Sequence, residues 1–375
     1  MRIGILGGGQ LGRMLALAGY PLGFSFRFLD PSPEACAGQV GALQVGEYGD
    51  EGVLRRFAEG LEVVTYEFEN VPVKAARFLA ETLPLHPPPE ALEVAQDRLA
   101  EKRFFASLGI PTPAFHPVDD PTDLKAGVER LGLPALLKTR RGGYDGKGQV
   151  LLRRREDLEP AWAALGGANL ILEEFVPFHR ELSVLAVRSP SGEMACYPLV
   201  ENHHREGMLR LSLAPAPQLT RELQGKAEAY AKRILEALEY AGVLALELFQ
   251  VGTELLANEM APRVHNSGHW TIEGAETSQF ENHLRAITGL PLGSTAPRGW
   301  SAMVNLIGRK PEFRELLALP GTHLHWYGKR VRPGRKVGHI TLRADSEQAV
   351  LELLPRLLAL AGERLPEPYR MASSR

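Results

Sequence analysis

Cysteine is almost absent from this chain. Its 375 residues include two cysteines, Cys36 and Cys196, which lie far apart in sequence. A fold of this length with so few thiols does not depend on disulfide bonds, and the two residues do not form a metal-binding motif. The scarcity of cysteine therefore indicates a protein of the reducing cytoplasm.

An excess of charge of one sign and long hydrophobic runs are also lacking. The chain has 43 Lys and Arg against 45 Asp and Glu, and the dispersed basic residues argue against a nucleic-acid surface. No apolar run approaches the roughly 18 residues that a bilayer-spanning helix needs. The first residues form an apolar strand without a basic segment or a cleavage site, so we expect no secretion signal. With 44% hydrophobic residues, the composition is that of a soluble protein with two or three domains.

A glycine-rich segment stands out between two short apolar runs, residues 135–137 and 150–152. Four glycines fall within residues 142–148, so backbone amides there can approach phosphate oxygens directly. Lys138 and Lys147 add positive charge beside them. The order of a Walker loop is absent. The segment predicts a flap that closes over a nucleotide, and an ordinary mobile hairpin is the alternative.

The N-terminus carries a second glycine-rich segment. Gly7, Gly9 and Gly12 follow the first strand in G-x-G-x-x-G spacing, and the next strand ends in Asp30. This pattern predicts a helix N-terminus that packs on a strand and offers free amides to an anion. The anion is either the pyrophosphate of NAD(P) or the phosphate of a substrate, and the spacing leaves both open.

Glu67 follows a predicted strand over residues 61–66. Because open α/β sheets bind ligands at the carboxyl ends of their strands, Glu67 is a candidate substrate contact. The alternative is a solvated turn with two exposed carboxylates. Prolines at positions 84 and 87–89 predict a stiff connector and the first domain boundary. A helix over residues 97–108 follows, and it places Arg98 and Lys102 on one face.

Two later segments suit a nucleotide site. An apolar strand over residues 170–172 runs into Glu173, Glu174, Phe175 and Val176, where backbone groups and an aromatic ring suit an adenine slot; plain core is the alternative. Short strands with turns predict an antiparallel sheet from residue 181 to 213.

Within that sheet, His203 and His204 point to opposite faces, so at most one of them faces a ligand, and we expect it to be His204. After the sheet, Thr220 is expected to cap a long helix that reaches to about residue 240.

Two apolar strands, Val243–Val251 and Glu254–Met260, each carry one carboxylate in a buried pattern, Glu247 and Glu259. A buried anion costs several kcal/mol unless it is paired or bound to a metal. A two-residue turn would place Glu247 opposite Asn258, whereas a three-residue loop would place it opposite Glu259, with Cβ atoms roughly 5 Å apart. We predict the three-residue loop and a shared Mg²⁺, which prefers oxygen ligands. Two salt-bridged core glutamates are the alternative.

Taken together, these segments resemble an ATP-grasp enzyme: a lysine before a glycine flap, an acidic hinge, and paired acidic strands. Further segments narrow the resemblance to the 5-(carboxyamino)imidazole ribonucleotide synthases of purine biosynthesis. They are GQLGRM at residues 9–14, APRVHNSGHWT at 261–271, HWYGK at 325–329 and RPGRKVGH at 332–339. The resemblance covers essentially the whole chain, with no departure at a motif position.

The resemblance implies an α/β and α+β architecture in three parts. These are a Rossmann-like N-terminal (pre-ATP-grasp) domain over residues 1–93, an ATP-grasp domain over 94–295 with a lid at about 112–172, and a small C-terminal domain over 296–375. It implies ATP and Mg²⁺ as cofactors and a cytoplasmic homodimer with no nucleic-acid or membrane partner. The implied reaction carboxylates aminoimidazole ribonucleotide with bicarbonate through carboxyphosphate, and it releases ADP and phosphate.

The resemblance also implies site residues, among which Glu181 holds the ribose of ATP and Glu247 and Glu259 hold the metal. The ATP-binding residues are Arg98, Lys138, Gly143, Tyr144, Asp145, Gly146, Lys147, Gly148, Gln149, Glu173, Glu174, Phe175, Val176, Glu181, His204, Asn258 and Glu259. The substrate-binding residues are Gln10, Leu11, Glu67, Tyr144, Asp145, Arg263, His265, Asn266, Ser267, Lys329 and Arg335. The catalytic residues are Asp145, Arg263, His265 and Lys329.

Two of these roles have alternatives. Asp145 is expected to accept a proton from the amine, or else it only orients the ring. The basic cluster from Lys329 to Lys336 is expected to bind the substrate phosphate, or else it is a solvated face.

Three rival functions remain at this point. A formate-dependent glycinamide ribonucleotide transformylase shares the ATP-grasp architecture. An NAD(P)-dependent Rossmann oxidoreductase rests only on the N-terminal glycines and Asp30. A non-catalytic nucleotide-sensing protein would bind ATP without turnover, but it has no use for a carboxylate pair that binds Mg²⁺.

Overall fold

The computed structural model describes residues 1–143, 146–166 and 169–370. Its first part alternates strands and helices. The four strands form a parallel sheet in the order β3-β2-β1-β4. The elements are β1 (Arg2–Leu6), α1 (Gln10–Gly19), β2 (Ser25–Asp30), β3 (Ala42–Val45), α2 (Glu51–Ala58), β4 (Val63–Tyr66), α3 (Val73–Ala80), α4 (Pro89–Ala95) and α5 (Arg98–Ser107). The Rossmann-like N-terminal fold that the family resemblance implies is confirmed.

The lid is an antiparallel sheet in the order β5-β8-β6-β7 with two helices packed against it. Its elements are β5 (Phe115–Val118), α6 (Pro121–Leu131), β6 (Ala135–Thr139), β7 (Gln149–Leu152), α7 (Leu158–Leu165) and β8 (Leu170–Glu174). The glycine-rich segment joins β6 to β7, so the two strands predicted on either side of it are confirmed and pair as a hairpin.

The central sheet is antiparallel and runs in the order β14-β13-β9-β11-β12-β15-β17-β16, with β10 on the side of β9. Its first elements are β9 (Arg180–Arg188), β10 (Met194–Cys196), β11 (Val200–Arg205), β12 (Met208–Ala214), α8 (Arg221–Ala237), β13 (Gly242–Val251), β14 (Glu254–Ala261), α9 (Thr271–Gly274) and α10 (Gln279–Ile287). The later ones are β15 (Trp300–Ile307), α11 (Phe313–Leu317), β16 (Thr322–Trp326), β17 (Lys336–Ala344), α12 (Glu347–Ala361) and α13 (Glu367–Arg370).

The last strands of the chain therefore continue the sheet of the ATP-grasp region, because β15 pairs with β12. The predicted boundary at residues 295 and 296 falls before β15, and the exact domain limits stay a prediction. Among the described residues, no helix combines the length and the apolar character that crossing a membrane requires.

Local signals set several helix starts. Asp50, Asp97 and Thr220 each accept a backbone N–H of the first helical turn, so α2, α5 and α8 begin with side-chain caps. The predicted cap at Thr220 is thus confirmed. Helix α1 packs against α10, and a common apolar core with Trp270 near its centre joins the N-terminal sheet to the central sheet. This contact places the carboxyl end of β1 beside the central sheet.

Candidate active site

A cleft of about 400 Å³ is lined by the lid hairpin, the central sheet and the N-terminal end of α1. Many of the residues expected from the sequence line it. From the predicted ATP set these are Arg98, Lys138, Gly143, Gly146, Lys147, Gln149, Glu181, His204, Asn258 and Glu259. From the predicted substrate and metal sets they are Gln10, Leu11, Glu247, Arg263, His265 and Asn266. Tyr144 and Asp145 lie outside the described residues.

The two carboxylates of the hairpin β13–β14 do face each other, since Glu247 is the partner of Glu259 in the ladder. The predicted three-residue loop is wrong, however. Val251 pairs with Glu254, so the turn has two residues, and an irregularity beside Glu247 shifts the register by one. A β-bulge at Asn258 thus inserts the extra residue that the prediction assigned to the loop.

Each of these carboxylates has a basic or imidazole partner. Arg98 Nη1 lies 3.0 Å from Glu259 Oε2, and His265 Nε2 lies 3.2 Å from Glu247 Oε1. Burial, together with the charge of Glu259, raises the pKa of Glu247. Two opposed carboxylates with unfavourable mutual charge and only oxygen donors fit Mg²⁺. In the described part of the chain, no three His, Cys, Asp or Glu side chains form a metal site by themselves.

Lys138 and Lys102 share one buried carboxylate beneath the flap. Lys138 Nζ donates to Glu173 Oε2 at 2.8 Å, and Lys102 Nζ lies 3.7 Å from the same oxygen. Glu173 is 2% exposed. Burial alone would raise the pKa of Glu173, but the charges of Lys102 and Lys138 lower it to about 2. The carboxylate therefore fixes both ammonium groups beneath the flap.

The flap is tied to the helix that precedes the lid. Arg98 Nη2 donates to the carbonyl of Gly143 at 3.3 Å, and Arg140 makes a two-bond pair with Asp97, the cap of α5. Gly146 has a φ of +77° and lies close to the turn at Gly207. A Cβ atom added to Gly146 would be 3.0 Å from the Cα atom of Gly207. The tip of the flap therefore rests on the turn between β11 and β12.

The two adjacent histidines have different surroundings, as the strand geometry predicts. His204 lines the cleft and its Nδ1 contacts Glu181, whereas His203 Nε2 lies 2.8 Å from Glu201 Oε1. Burial opposes a charge on His204, but the hydrogen bond and charge of Glu181 raise its pKa.

The four residues expected to form an adenine slot have different environments in the structure. Glu174 and Phe175 are exposed, Val176 is buried, and Glu173 holds the lysines. The aromatic wall of the cleft is instead Phe178 stacked on Phe249, with ring centroids 4.7 Å apart and planes 4° apart. Both rings were missed in the sequence because neither lies in the glycine-rich or acidic motifs.

Three amides of the N-terminal glycine turn, those of Gly8, Gly9 and Gly12, are bonded to carboxylates of the protein, so these three are not offered to an anion. The carboxylate of Glu67 accepts the N–H groups of Gly9 and Gly12, and Asp30 Oδ2 accepts that of Gly8 at 2.8 Å. Glu67 is 7% exposed, which also rules out the solvated turn. Because protein carboxylates take the place of a pyrophosphate here, the dinucleotide alternative loses its support.

The segment after β14 forms the middle of the cleft. Arg263 Nε donates to Glu69 Oε2 at 2.5 Å, and Asn266 exchanges side-chain hydrogen bonds with Asn305 at 2.8 and 3.1 Å. Burial, with the nearby charge of Arg263, lowers the pKa of His265 well below its usual range. Both effects favour the neutral form of the imidazole.

Ser267, one of the predicted substrate-binding residues, is fully buried behind His265. Its Oγ lies 2.9 Å from His265 Nδ1 and accepts from Ser183 Oγ at 2.8 Å, which in turn accepts from Asn202. Because Nδ1 also accepts the Ser267 backbone N–H, the proton of the neutral ring is assigned to Nε2, which faces Glu247. Ser267 thus orients His265 in this structure.

The C-terminal basic cluster reaches the N-terminal helix. The Lys329 ammonium donates to the Gln10 side chain, and Lys336 lines the cleft. Arg335 Nη1 donates to the carbonyl of Arg330 at 3.2 Å, so it orders the loop of the cluster. Burial lowers the pKa of Lys329.

Several lining residues were not assigned a role from the sequence. They are Glu69, Asn70, Gln96, Glu101, Phe178, Phe249 and His269. His269 lies inside a quoted motif, so motif membership was a usable signal for it; Glu101 is an acidic residue on an ordinary helical pattern and gave none.

The fold and the cleft define an ATP-grasp ligase, with a lid hairpin over lysines and a paired-carboxylate hairpin. Family models match in the same order: "Ribonucleotide synthetase preATP-grasp domain" at residues 1–96, "ATP-grasp domain" at 103–280, and "Phosphoribosylaminoimidazole carboxylase C-terminal domain" at 301–353.

Within that class, the chain belongs to the N5-carboxyaminoimidazole ribonucleotide synthase family. It is 54% identical to the synthase of Pseudomonas aeruginosa over 94% of this chain and 97% of the relative. The crystal structure of the Thermus thermophilus synthetase superposes with a TM-score of 0.94 at 72% identity, covering 97% of this chain and 99% of that one. An Aspergillus clavatus synthase solved with ADP and 5-aminoimidazole ribonucleotide has a TM-score of 0.90 at 31% identity, covering 96% of this chain and 98% of that one.

Proposed function

We propose that this chain uses ATP and bicarbonate to carboxylate the exocyclic amine of 5-aminoimidazole ribonucleotide in purine biosynthesis. The observation that carries the proposal is a single cleft that brings two sets of residues together. Its lining includes Lys138 and the carboxylate pair of Glu247 and Glu259, and also Arg263, His265 and the N-terminal end of α1. Neither formate transfer nor hydride transfer is favoured, because the similar proteins are named as N5-carboxyaminoimidazole ribonucleotide synthases.

In the first step, a bicarbonate oxygen attacks the γ-phosphorus of ATP and ADP leaves, which yields carboxyphosphate. Phosphoryl transfer depends mainly on positioning and on neutralising phosphate charge. Lys138 would supply positive charge to the phosphates, and the amides of the flap would supply hydrogen-bond donors. Glu247 and Glu259 would hold Mg²⁺, which neutralises phosphate oxygens when bound. The flap, resting on the turn at Gly207, shields the reactive anhydride from water.

In the second step, the amine nitrogen attacks the carbon of carboxyphosphate, the bond from that carbon to the phosphate oxygen breaks, and the amine loses a proton. Arg263 and Asn266, which line the cleft, would bind the carboxylate oxygens, and the imidazole of His265 would donate through Nε2 without adding a full charge. Asp145 is proposed as the proton acceptor.

The amine nucleotide is proposed to lie beside the N-terminal end of α1. Gln10, Leu11 and Lys336 line the cleft there, and Lys329 is hydrogen-bonded to Gln10. Lys329 and Arg335 would bind the ribonucleotide phosphate. Glu67 is proposed to act indirectly, because both of its oxygens are engaged by the glycine turn that starts α1.

The test is phosphate release by the purified protein with ATP, Mg²⁺ and each acid–amine pair. Release should require bicarbonate and aminoimidazole ribonucleotide together. Release that requires formate and glycinamide ribonucleotide, and is indifferent to bicarbonate, would refute the proposal. The Glu259→Gln variant should lose at least about a hundredfold in kcat, because one of the two metal-binding carboxylates is replaced by a neutral amide. Turnover at the parental rate would remove the metal role of the hairpin.

We also propose that the enzyme acts as a homodimer in the cytoplasm, following the family resemblance. Light scattering behind size-exclusion chromatography should give twice the chain mass of 41.2 kDa. A single-chain mass at micromolar concentration would contradict the dimer.

A further inference from the structure

Strand β14 lies at the edge of the central sheet, and helix α5 covers its open side. An uncovered edge strand leaves a row of backbone donors and acceptors without partners. Here Ala257 N–H donates to the carbonyl of Pro111 at 2.7 Å, and the carbonyls of Ala257 and Asn258 accept from Lys102 Nζ at 3.3 and 2.7 Å. Met260 N–H donates to Glu101 Oε1 at 2.7 Å.

These contacts show that the alternation of inward and outward backbone groups along β14 shifts by one residue. In a regular strand the outward backbone groups recur every two residues, so Ala257 and Met260 could not both point to the open side. They do so here because the bulge at Asn258 inserts one residue between them. Without the bulge, the Met260 N–H would turn toward β13, and Glu259 would leave the face that carries Glu247.

Glu101 and Lys102 are adjacent on α5 and almost fully enclosed, at 2% and 1% exposure. A buried carboxylate or ammonium is tolerated only when specific partners satisfy it. The partner of Glu101 is a backbone donor that faces α5 only in the bulged phase. The partners of Lys102 include two consecutive carbonyls at the bulge itself, besides Glu173. Burial of this pair therefore favours the bulged register over the regular one.

We propose that Glu101 and Lys102 are positioning residues for the metal-binding hairpin: they hold the bulge of β14 and thereby keep Glu259 opposite Glu247. The proposal rests on the ATP and Mg²⁺ site proposed above, but it is independent of which amine is carboxylated. Neither side chain is assigned a contact with the metal or the reacting atoms. Their effect passes through the backbone at residues 257–260.

The test compares variants that break or keep the contacts. Glu101→Leu removes the acceptor of the Met260 N–H, while Glu101→Gln keeps an oxygen in that place. Lys102→Met removes the donor to both carbonyls. The matched control is Lys226→Met, because Lys226 Nζ donates to the carbonyl of Thr253 at 3.0 Å, at the turn of the same hairpin but away from the bulge.

The readout is ADP affinity measured by calorimetry with and without Mg²⁺ on the full chain. Glu101→Leu and Lys102→Met should lower the gain in ADP affinity that Mg²⁺ provides by about tenfold, as loss of a supporting partner does at other metal sites. Glu101→Gln and Lys226→Met should stay within about twofold of the parent. The proposal is overturned if the two disruptive variants fold, bind ADP, and keep the full gain from Mg²⁺.

A measurement on the parent chain keeps the proposal testable where a disruptive variant does not fold. Amide hydrogen exchange in the absence of nucleotide and metal should show the Met260 N–H protected to the same degree as the core amides of β13. Fast exchange at Met260 in the folded parent would show that the bond to Glu101 does not hold the bulge, and it would refute the proposal. If ADP binding behaves as expected while bicarbonate-dependent turnover is absent, the proposed reaction fails but the positioning role stands.

Discussion

Two glycine-rich turns of this molecule, residues 7–12 and 142–148, each lie near a buried glutamate that is used in a different way. In the N-terminal turn, Glu67 takes backbone N–H groups of the turn itself. Near the flap, Glu173 takes the ammonium groups of Lys138 and Lys102 beneath the turn. The first glutamate closes its turn as part of the fold, while the second prepares charged groups for a ligand.

The two glutamates also differ in their electrostatics. Burial raises the pKa of Glu67, although the N–H groups of Gly12 and Gly9 partly offset that effect. Burial acts in the same direction on Glu173, but two ammonium charges outweigh it and lower the pKa to about 2. The comparison teaches that glycine spacing alone does not distinguish a structural turn from a phosphate-binding one; the charged side chains that reach the turn decide it.

The largest expected effect is on stability at the N-terminal turn. Gly7 has φ of +103°, and an added Cβ would overlap the side chain of Glu67. Gly7→Ala should lower the free energy of unfolding by about 3 kcal/mol, from backbone strain and overpacking together. Urea unfolding measures this. ADP affinity of the folded variant should stay within about twofold, and a selective loss of ADP binding without loss of stability would contradict the structural role of this turn.

The second expected effect is on the pH dependence of stability, because Glu173 and Glu67 should contribute to the free energy of unfolding with opposite pH dependences. Glu173 has a lowered pKa in the folded state, so its stabilising contribution is present above about pH 4.5 and is lost as the pH falls toward 2. The stability difference between the parent and Glu173→Gln should therefore shrink by about 3 kcal/mol over that range.

Glu67 has a raised pKa, so its contribution is present below about pH 4.5 and is lost as the pH rises. The difference in the free energy of unfolding between the parent and Glu67→Gln should therefore shrink as the pH rises. Urea unfolding at several pH values measures both differences, and slopes of equal sign would break the comparison.

The smallest effect is expected at the flap. Gly146 has a positive φ and lies against the turn at Gly207, but it is exposed at the tip of a hairpin. Gly146→Ala should raise the KM for ATP about fivefold, because strain of roughly 1 kcal/mol opposes closure, while the free energy of unfolding changes little. Initial rates at varied ATP, together with thermal melting, measure both. A large loss of stability with unchanged KM would place this turn in the same class as residues 7–12.

Much of the fold could be predicted, because period-two and helical patterns and cap residues such as Thr220 act locally. The pairing of Glu247 with Glu259 was also predicted, but by the wrong route. A bulge of one residue leaves no mark in the hydrophobic pattern, and it is stabilised by Glu101 and Lys102, which are distant in sequence. The carboxylate pair was visible to a charge argument, whereas the register that brings the pair together was not.

The site residues also divide into those whose position could be predicted from the sequence and those whose position could not. Arg98, Lys138 and His204 face the cleft as their motifs suggest. Ser267 and Glu67 belong to motifs as well, yet both are buried and occupied by other protein groups. A motif states which residue types occur together, but it does not state which of them touch the ligand and which hold their neighbours.

The hydrogen bond between Gln10 and Lys329 joins residues that are 319 positions apart. At roughly 5 to 20 residues per second of ribosomal synthesis, Lys329 emerges roughly 15 to 65 seconds after Gln10. The lid and the carboxylate hairpin are synthesised earlier than Lys329. Translation therefore separates the two partners of this hydrogen bond in time, and the contact between the N-terminal helix and the basic cluster forms only after the whole ATP-grasp region has been made.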